Sequence, residues 1–313
     1  MAVGKNQSYF IGGVLICLLG SICFSSKAIF VKVAYRDTPV DAVTLLALRM
    51  LFSLPFFVLS ATYSSRKTDN VKFTTKQWLG VALIGCLGYY VSSLLDFLGL
   101  QYISAGIERL VLFIYPTLVL LMSAIIFKVK INSRQWIALL ITYGGLCLAF
   151  SGEINVVENK ADFYKGVSFI FICAITFAMY IVGSGRLIPG IGSAKFNSYS
   201  MSFAGVAVLI HFFISSDKSL FDLPLMVYVY SLFMAVFATI IPSYLVAEGI
   251  KRIGSDNAAI VGSIGPVSTI VQAFFILHEP IHALQLAGTA LILVGVLIIG
   301  RKGKPVEETK VVA

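Results

Sequence analysis

Five ionisable residues lie within long apolar stretches of the chain: Lys27, Arg49, Asp96, Glu108 and Arg109. A charge at the centre of a bilayer costs about 3 kcal/mol or more, so such residues usually pair with one another or contact a ligand. An ammonium or guanidinium group in this setting can hold a carboxylate or a phosphate. The alternatives are an internal salt bridge for Lys27 and Arg49, and for Lys27 also a side chain that extends to the outer membrane interface.

The two acidic residues point to proton coupling as a second kind of chemistry. We predict that Glu108 binds a proton or a substrate ammonium group, and that Asp96 is a further proton-coupling residue. The alternatives are an ion pair of Glu108 with Lys27 or Arg49, and an interfacial position for Asp96. Since neighbouring residues point about 100° apart on a helix, we expect one of Glu108 and Arg109 to face a cavity and the other a neighbouring helix.

Two tyrosines complete the predicted substrate site. Tyr115 shares a helical face with Glu108, and its ring can both stack on an organic substrate and hydrogen-bond it. Tyr180 coincides with Lys27 when the chain is shifted by 153 residues, which predicts that both face the same central cavity. The predicted substrate-binding residues are therefore Lys27, Arg49, Glu108, Arg109, Tyr115 and Tyr180.

Metal and covalent chemistry find little support in the sequence. His278, Glu279 and His282 fall in one Pro-containing turn, which gives no four-ligand zinc set. The five cysteines lie in apolar stretches without a CxxC pair, and we expect them to pack as small apolar residues. Because no nucleophile and base converge at one depth, we expect neither an enzyme nor a bound metal or cofactor.

The elements that must position these side chains are membrane helices. Of 313 residues, 58% are hydrophobic and 12% are charged, against about 25% charged in soluble domains. Backbone groups in hydrocarbon must be satisfied within each segment, which favours helices over strands. Apolar stretches of about 20 residues predict an all-α polytopic protein with ten transmembrane helices, near 10–34, 42–63, 77–98, 104–127, 134–151, 165–184, 195–215, 224–247, 256–277 and 282–300.

The basic residues of the loops predict the orientation. An even number of helices puts both termini on one side, and the loops of that side carry 16 Lys and Arg residues against 5 on the other. The positive-inside rule then predicts cytoplasmic N- and C-termini in a cell inner (plasma) membrane. The net charge of +9 is explained by this topology, so we expect the lipid bilayer and not nucleic acid as a partner.

An internal repeat appears when the chain is shifted by 150 residues. Residues 99–152 then align with 249–302 without a gap, and Pro116 falls on Pro266. We predict a first five-helix unit at 1–152, a second at 160–302 and a cytoplasmic tail at 303–313. Five helices is an odd number, so the units are inverted, as is typical of secondary transporters. Both prolines are predicted hinges; the alternative is gene duplication in a protein that transports nothing.

Three segments resemble EamA-type transporters of the drug/metabolite transporter superfamily. They are LQYISAGIERLVLFIYP (100–116), IKRIGSDNAAIVGSIGP (250–266) and ILHEPIHALQLAGTALILVGVLI (276–298). The resemblance covers nearly the whole chain and implies two tandem units that move small metabolites, often in export of amino acids or related compounds. Two departures stand out: Val129 replaces the acidic residue that Glu279 supplies in the second unit, and Lys27 within FSSKAIFVK is not general to the family.

Together these features predict a secondary transporter. We expect it to move a small polar metabolite, an amino acid or related compound, across the inner membrane by alternating access, as exporter or exchanger. One alternative is an importer of a cofactor-like metabolite such as S-adenosylmethionine, a vitamin or a nucleotide. The other is a membrane sensor or structural protein that transports nothing, although such proteins usually carry a soluble output domain and every loop here is short.

Overall fold

The computed structural model describes residues 2–66, 72–128, 130–150, 160–277 and 283–300, and within these ranges the chain is helical. The predicted tail 303–313, Val129 and the turn with His278, Glu279 and His282 lie outside the described residues. Thirteen α-helices and three π-helical segments follow one another along the described chain: α1 Ala2–Asp37, α2 Ala42–Arg66, α3 Thr75–Gly85, π1 Cys86–Val91, α4 Ser92–Gly99, α5 Ala105–Leu112, α6 Tyr115–Phe127, α7 Ser133–Phe150, α8 Lys160–Ile191, α9 Ser193–Ser215, α10 Leu225–Ala235, π2 Val236–Ile240, α11 Ile241–Val261, α12 Ile264–Gln272, π3 Ala273–Leu277 and α13 Ala283–Gly300.

Several of these helices are long and apolar enough to cross a membrane, so the protein is a multi-pass membrane protein. Six segments of the described chain meet that condition: Gln7–Asp37, Ala42–Arg66, Thr75–Gly99, Lys160–Ile191, Ser193–Ser215 and Leu225–Val261. Three shorter apolar helices accompany them, at Tyr115–Phe127, Ile264–Ile276 and Leu286–Gly295. The all-helical membrane fold is confirmed, whereas the count of ten spans and the unit boundaries 1–152 and 160–302 stay predictions.

Some predicted helices are interrupted in the structure. The helix expected at 104–127 is two helices, α5 and α6, separated by a turn at Phe113–Ile114. The loop expected between 247 and 256 is mostly helical, because α11 continues to Ile253 before Gly254 turns the backbone at φ 80°. Glycine adopts that dihedral readily, whereas other residues are strained there. A single glycine therefore ends the helical run, at a place where the apolar pattern predicts a loop of several residues.

The backbone irregularities recur at the 150-residue shift found in the sequence. Segment π1 begins at Cys86 and π2 begins at Val236. The turn at Phe113–Ile114 has its counterpart at Gly262–Ser263, one residue from the shifted position. π-Helical segments often occur at functional sites because they rotate side chains out of the α-helical register. Their recurrence shows that the two halves share backbone shape as well as sequence.

Helix packing follows the same pairing. α1 packs along α11 and α12, α8 packs along α4, and the equivalent helices α2 and α9 contact each other, as do α7 and α13. The α7–α13 crossing is close because it contains small residues. A Cβ atom placed on Gly145 would lie 2.6 Å from the carbonyl oxygen of Gly288, and one on Gly295 would lie 2.8 Å from that of Ala138.

Candidate functional site

A cavity of about 90 Å³ lies between helices of both halves of the chain, namely α1, α2, π1, α4, α5, α6, α8, π2, α11 and α12. Aromatic rings form much of its wall, namely those of Phe24, Tyr89, Phe113, Tyr115 and Phe177. The volume has room for several waters or for a compact organic group. Pockets of this kind, mostly apolar with a few convergent polar groups, are the usual form of a small-molecule site.

The ionisable residues predicted from the sequence meet at this cavity. Lys27 Nζ lies 2.9 Å from Asp96 Oδ2, and Arg109 Nε lies 3.0 Å from Glu108 Oε2. Both carboxyl groups are fully buried. We call these four residues and Arg49 the charged cluster. It brings three cations together with two carboxyl groups, a combination that the surrounding hydrocarbon makes costly unless it serves a purpose.

The structure gives each carboxyl group of this cluster a partner. Asp96 is completely buried and pairs with Lys27, whereas its depth in the membrane stays a prediction. The sequence suggests Lys27 or Arg49 as an ion-pair partner of Glu108, but the partner in the structure is its neighbour Arg109. The side chains of neighbouring helical residues diverge at the backbone, but the long arginine side chain bends back to reach the carboxylate. Arg109 lines the cavity, while Glu108 lies behind it.

Arg49 differs from the other two cations of the cluster. Its side chain is 2% exposed, and its Nε and Nη2 atoms have no hydrogen-bond partner. The guanidinium group lies over the ring of Phe97, 5.0 Å from its centroid. Within the described chain, no carboxylate lies at ion-pair distance from Arg49, and its side chain lines the cavity.

The two predicted tyrosines take different places. Tyr115 lines the cavity, and its hydroxyl group donates a 3.1 Å hydrogen bond to the carbonyl oxygen of Ala259 on α11. Tyr180 is outside the cavity wall: it packs against Gly88 of π1, and its hydroxyl group donates to that of Tyr89 at 3.2 Å. Contrary to the prediction from the sequence, Tyr180 does not line the cavity: Gly88 leaves space behind the wall that its ring fills, and the buried Tyr89 takes the position in the wall.

Several residues of the cavity wall were not predicted from the sequence. Tyr89 and Thr239 are equivalent at the 150-residue shift, and both line the cavity on π1 and π2. Phe24 and Phe177 are equivalent at the 153-residue shift and also face it. The signal that could have found them is their pairing in the repeat, which marks positions that both halves present to a shared centre.

The predicted hinge prolines follow the interruptions of their helices. Pro116 is the second residue of α6 and Pro266 the third residue of α12, each shortly after a turn. Proline is well accepted in a first helical turn, where its missing N–H group has no partner to lose. Pro266 also contributes to the cavity wall. The break in each helix therefore lies just before the proline, next to the cavity.

Further polar contacts tie the helices together on either side of the cavity. At one end, Lys32 Nζ donates to the carbonyl oxygens of Leu100 and Ile103, at 3.0 Å each. At the other end, Glu248 accepts hydrogen bonds from Ser193 Oγ at 2.6 Å and from Arg252 Nε at 2.8 Å. Through these contacts Glu248 joins α9 to α11.

Comparison with known proteins identifies relatives over most of the chain. The model of the EamA-like transporter family matches twice, at residues 11–151 and 164–301. The chain is 34% identical to the Uncharacterized transporter YcbK of Bacillus subtilis (strain 168), with 88% of each chain covered. It is 26% identical to the Uncharacterized transporter sll1319 of Synechocystis sp., with 92% of each covered. One crystal structure is similar in fold, with a TM-score of 0.72 at 16% identity, and the match covers 91% of this chain and 95% of that one.

Proposed function

The chain belongs to the EamA-like transporter family, and from this premise we propose that it moves a small polar metabolite, an amino acid or related compound, across the inner membrane by alternating access. The observation that carries this proposal is the central cavity. Equivalent segments of both halves line it, and buried ionisable groups converge there without being needed to pack the core. A site between two repeats near the membrane centre is the arrangement that alternating access requires.

The recurring irregularities supply a way to move. Under the proposal, the ten helices form two inverted five-helix units, and the segments π1 and π2 together with the turns before Pro116 and Pro266 let each unit adopt two shapes. Interruptions of this kind are where helices bend. Exchange of shapes between the two units would open the cavity first to one side and then to the other.

The polar ties at the two ends are proposed gates. The uneven distribution of basic loop residues supports cytoplasmic termini, which places Lys32 near the outer face and Glu248 near the inner face. Opening outward then requires Lys32 to leave the carbonyl groups of the α4–α5 turn. Opening inward requires Glu248 to release Ser193 or Arg252.

Asp96 and Glu108, the two buried carboxyl groups of the charged cluster, support proton coupling. Burial disfavours the negative charge of a carboxylate, so a proton taken up by one of them would be stabilised there. A cycle that releases this proton on one side and takes one up on the other would drive export or exchange. Import of a cofactor-like metabolite would use the same geometry in the opposite direction.

A membrane sensor or structural protein that transports nothing is the second class of function. The residues of the cavity offer no specific support for an enzyme or for a nucleic-acid partner.

The test is flux through the purified full-length protein in proteoliposomes, with and without a pH gradient. A panel of amino acids, nucleosides, vitamins and S-adenosylmethionine is added outside, and uptake or exchange of each labelled compound is followed. We expect saturable flux of at least one small polar compound. Empty liposomes and the exposed-site variant Arg186→Gln are the controls. Absence of flux for every compound in both directions would favour the sensor or structural alternative.

A further inference from the structure

We infer that the cavity recognises a compact organic anion, and that the guanidinium group of Arg49 binds the anionic group of this substrate. The inference rests on the proposed function, since it names the chemical class of the transported compound. The anionic group is a carboxylate or a phosphate, both of which offer two oxygens at the spacing of a guanidinium edge.

The charges of the cavity wall carry the first step. Of all the Lys, Arg, His, Asp and Glu residues in the described chain, three line the cavity, and all three are cations: Lys27, Arg49 and Arg109. The two carboxyl groups of the charged cluster lie behind this wall and are fully buried. The wall therefore presents positive charge to a ligand in the cavity, and a negatively charged ligand is favoured.

Pairing within the cluster carries the second step. Asp96 compensates Lys27 and Glu108 compensates Arg109, which leaves Arg49 as the cation with no carboxylate at ion-pair distance in the described chain. A fully buried guanidinium group with two unpartnered N–H groups is unfavourable unless a ligand pairs with it. Nε and Nη2 form one edge of the guanidinium plane, and two parallel N–H donors on one edge match the two oxygens of a carboxylate.

The same arrangement argues against an ammonium group as the main recognition element. A carboxylate is the strongest acceptor for a buried ammonium group, and both carboxyl groups already contact a cation and do not line the cavity. Binding a cation through a carboxylate would require one of these pairs to open. The rings of Phe24 and Phe177 offer apolar surface for an aliphatic body on the anion, and hydroxyl groups such as those of Ser21 and Thr239 lie elsewhere in the wall.

The experiment uses probes of one shape and different charge with the full-length protein purified in detergent. 4-Methylpentanoate, leucine and 3-methylbutylamine share a branched aliphatic body and are an anion, a zwitterion and a cation; 3-methylbutyl phosphate replaces the carboxylate by a phosphate. Dissociation constants come from the dependence of thermal stability on probe concentration. We expect one of the two anions to bind at least about tenfold more tightly than leucine, and the amine not to bind. The tighter anion identifies the group as carboxylate or phosphate.

Variants of Arg49 test the proposed contact. Arg49→Gln should weaken binding of the anion by about 100-fold, and Arg49→Lys, which keeps the charge but lacks the planar edge, by about tenfold. Arg186→Gln removes a cation at an exposed position and should leave binding unchanged. If the glutamine variant fails to fold, the lysine variant and the ranking of the four probes still decide.

Each other result overturns the inference. Tighter binding of leucine or the amine would show that the cavity selects positive charge, and unchanged anion binding in both Arg49 variants would remove its proposed role. No binding of any probe at millimolar concentration would exclude this class of substrate. Failure of the proposed function gives a different result from failure of this inference. An anion that binds through Arg49 but never crosses the membrane would refute transport and leave anion recognition intact. Flux of a cationic metabolite would support transport and refute anion recognition.

Discussion

The ion pair between Lys27 and Asp96 allows a quantitative test of how the charged cluster is held together. The perturbations are Lys27→Met, Asp96→Asn and the double variant. The two partners are unequal, since the carboxyl group is completely buried and the Lys27 side chain is 15% exposed toward the cavity. Removing the lysine leaves a buried carboxylate, whereas removing the carboxylate leaves a cation that water in the cavity can reach.

The expected magnitudes follow from this asymmetry. Breaking a buried pair by removing one partner destabilises a protein by about 3–5 kcal/mol. Lys27→Met should fall at the lower end, about 3 kcal/mol, because Arg109 also attracts the Asp96 carboxylate. Asp96→Asn should cost about 1–2 kcal/mol, since the remaining cation keeps access to water. The double variant replaces the pair by neutral groups of similar size and should lie within about 1 kcal/mol of the wild type.

The assay is equilibrium unfolding of the purified protein in mixed micelles, followed by helical circular dichroism. The double-mutant cycle should give a coupling free energy of roughly 3 kcal/mol or more between the two residues. Additive losses in the double variant would contradict the pairing, and a Lys27→Met variant as stable as the wild type would contradict burial of a charged Asp96. Exchange of Arg36, whose side chain is 61% exposed, for Gln is the control and should change stability by less than about 0.5 kcal/mol.

Three further predictions concern packing, topology and the cavity wall. Gly145→Leu should reduce the yield of folded protein in size-exclusion chromatography, because a Cβ atom at this position would lie 2.6 Å from a backbone oxygen of α13. Gly144→Leu is the control: a Cβ atom there meets open space, so the yield should not change. Cysteines introduced at Asn70 and Asn155 should react with an impermeant maleimide from opposite sides of the membrane; labelling from one side would refute the inverted topology. Tyr115→Phe should lose about 1 kcal/mol of stability with its hydrogen bond to α11, measured by unfolding, and unchanged stability would argue against that contact.

Composition and apolar patterning sufficed to predict the membrane fold, and the resemblance of three segments to EamA-type transporters indicated the family. Apolar stretches separated by short polar loops predicted a multi-pass helical membrane protein, and segments such as 250–266 indicated the family, and both are confirmed. These properties are visible in sequence because hydrocarbon acts on every residue of a span in the same way. The repeat was also visible, since glycine and proline mark backbone requirements that survive when other side chains change.

The sequence by itself also determined which residues had to be explained. A charge inside an apolar stretch is recognisable without coordinates, and all three cations singled out in this way line the cavity. Their partners were decided by the tertiary structure. Asp96 pairs with Lys27 because the fold brings α4 beside α1 at that level, and Glu108 pairs with Arg109 because the arginine side chain bends back along α5; neither arrangement has a signal in composition. For the same reason Tyr180 lies behind Tyr89, and Arg49 alone among the three cations faces the cavity without a carboxylate in the described chain.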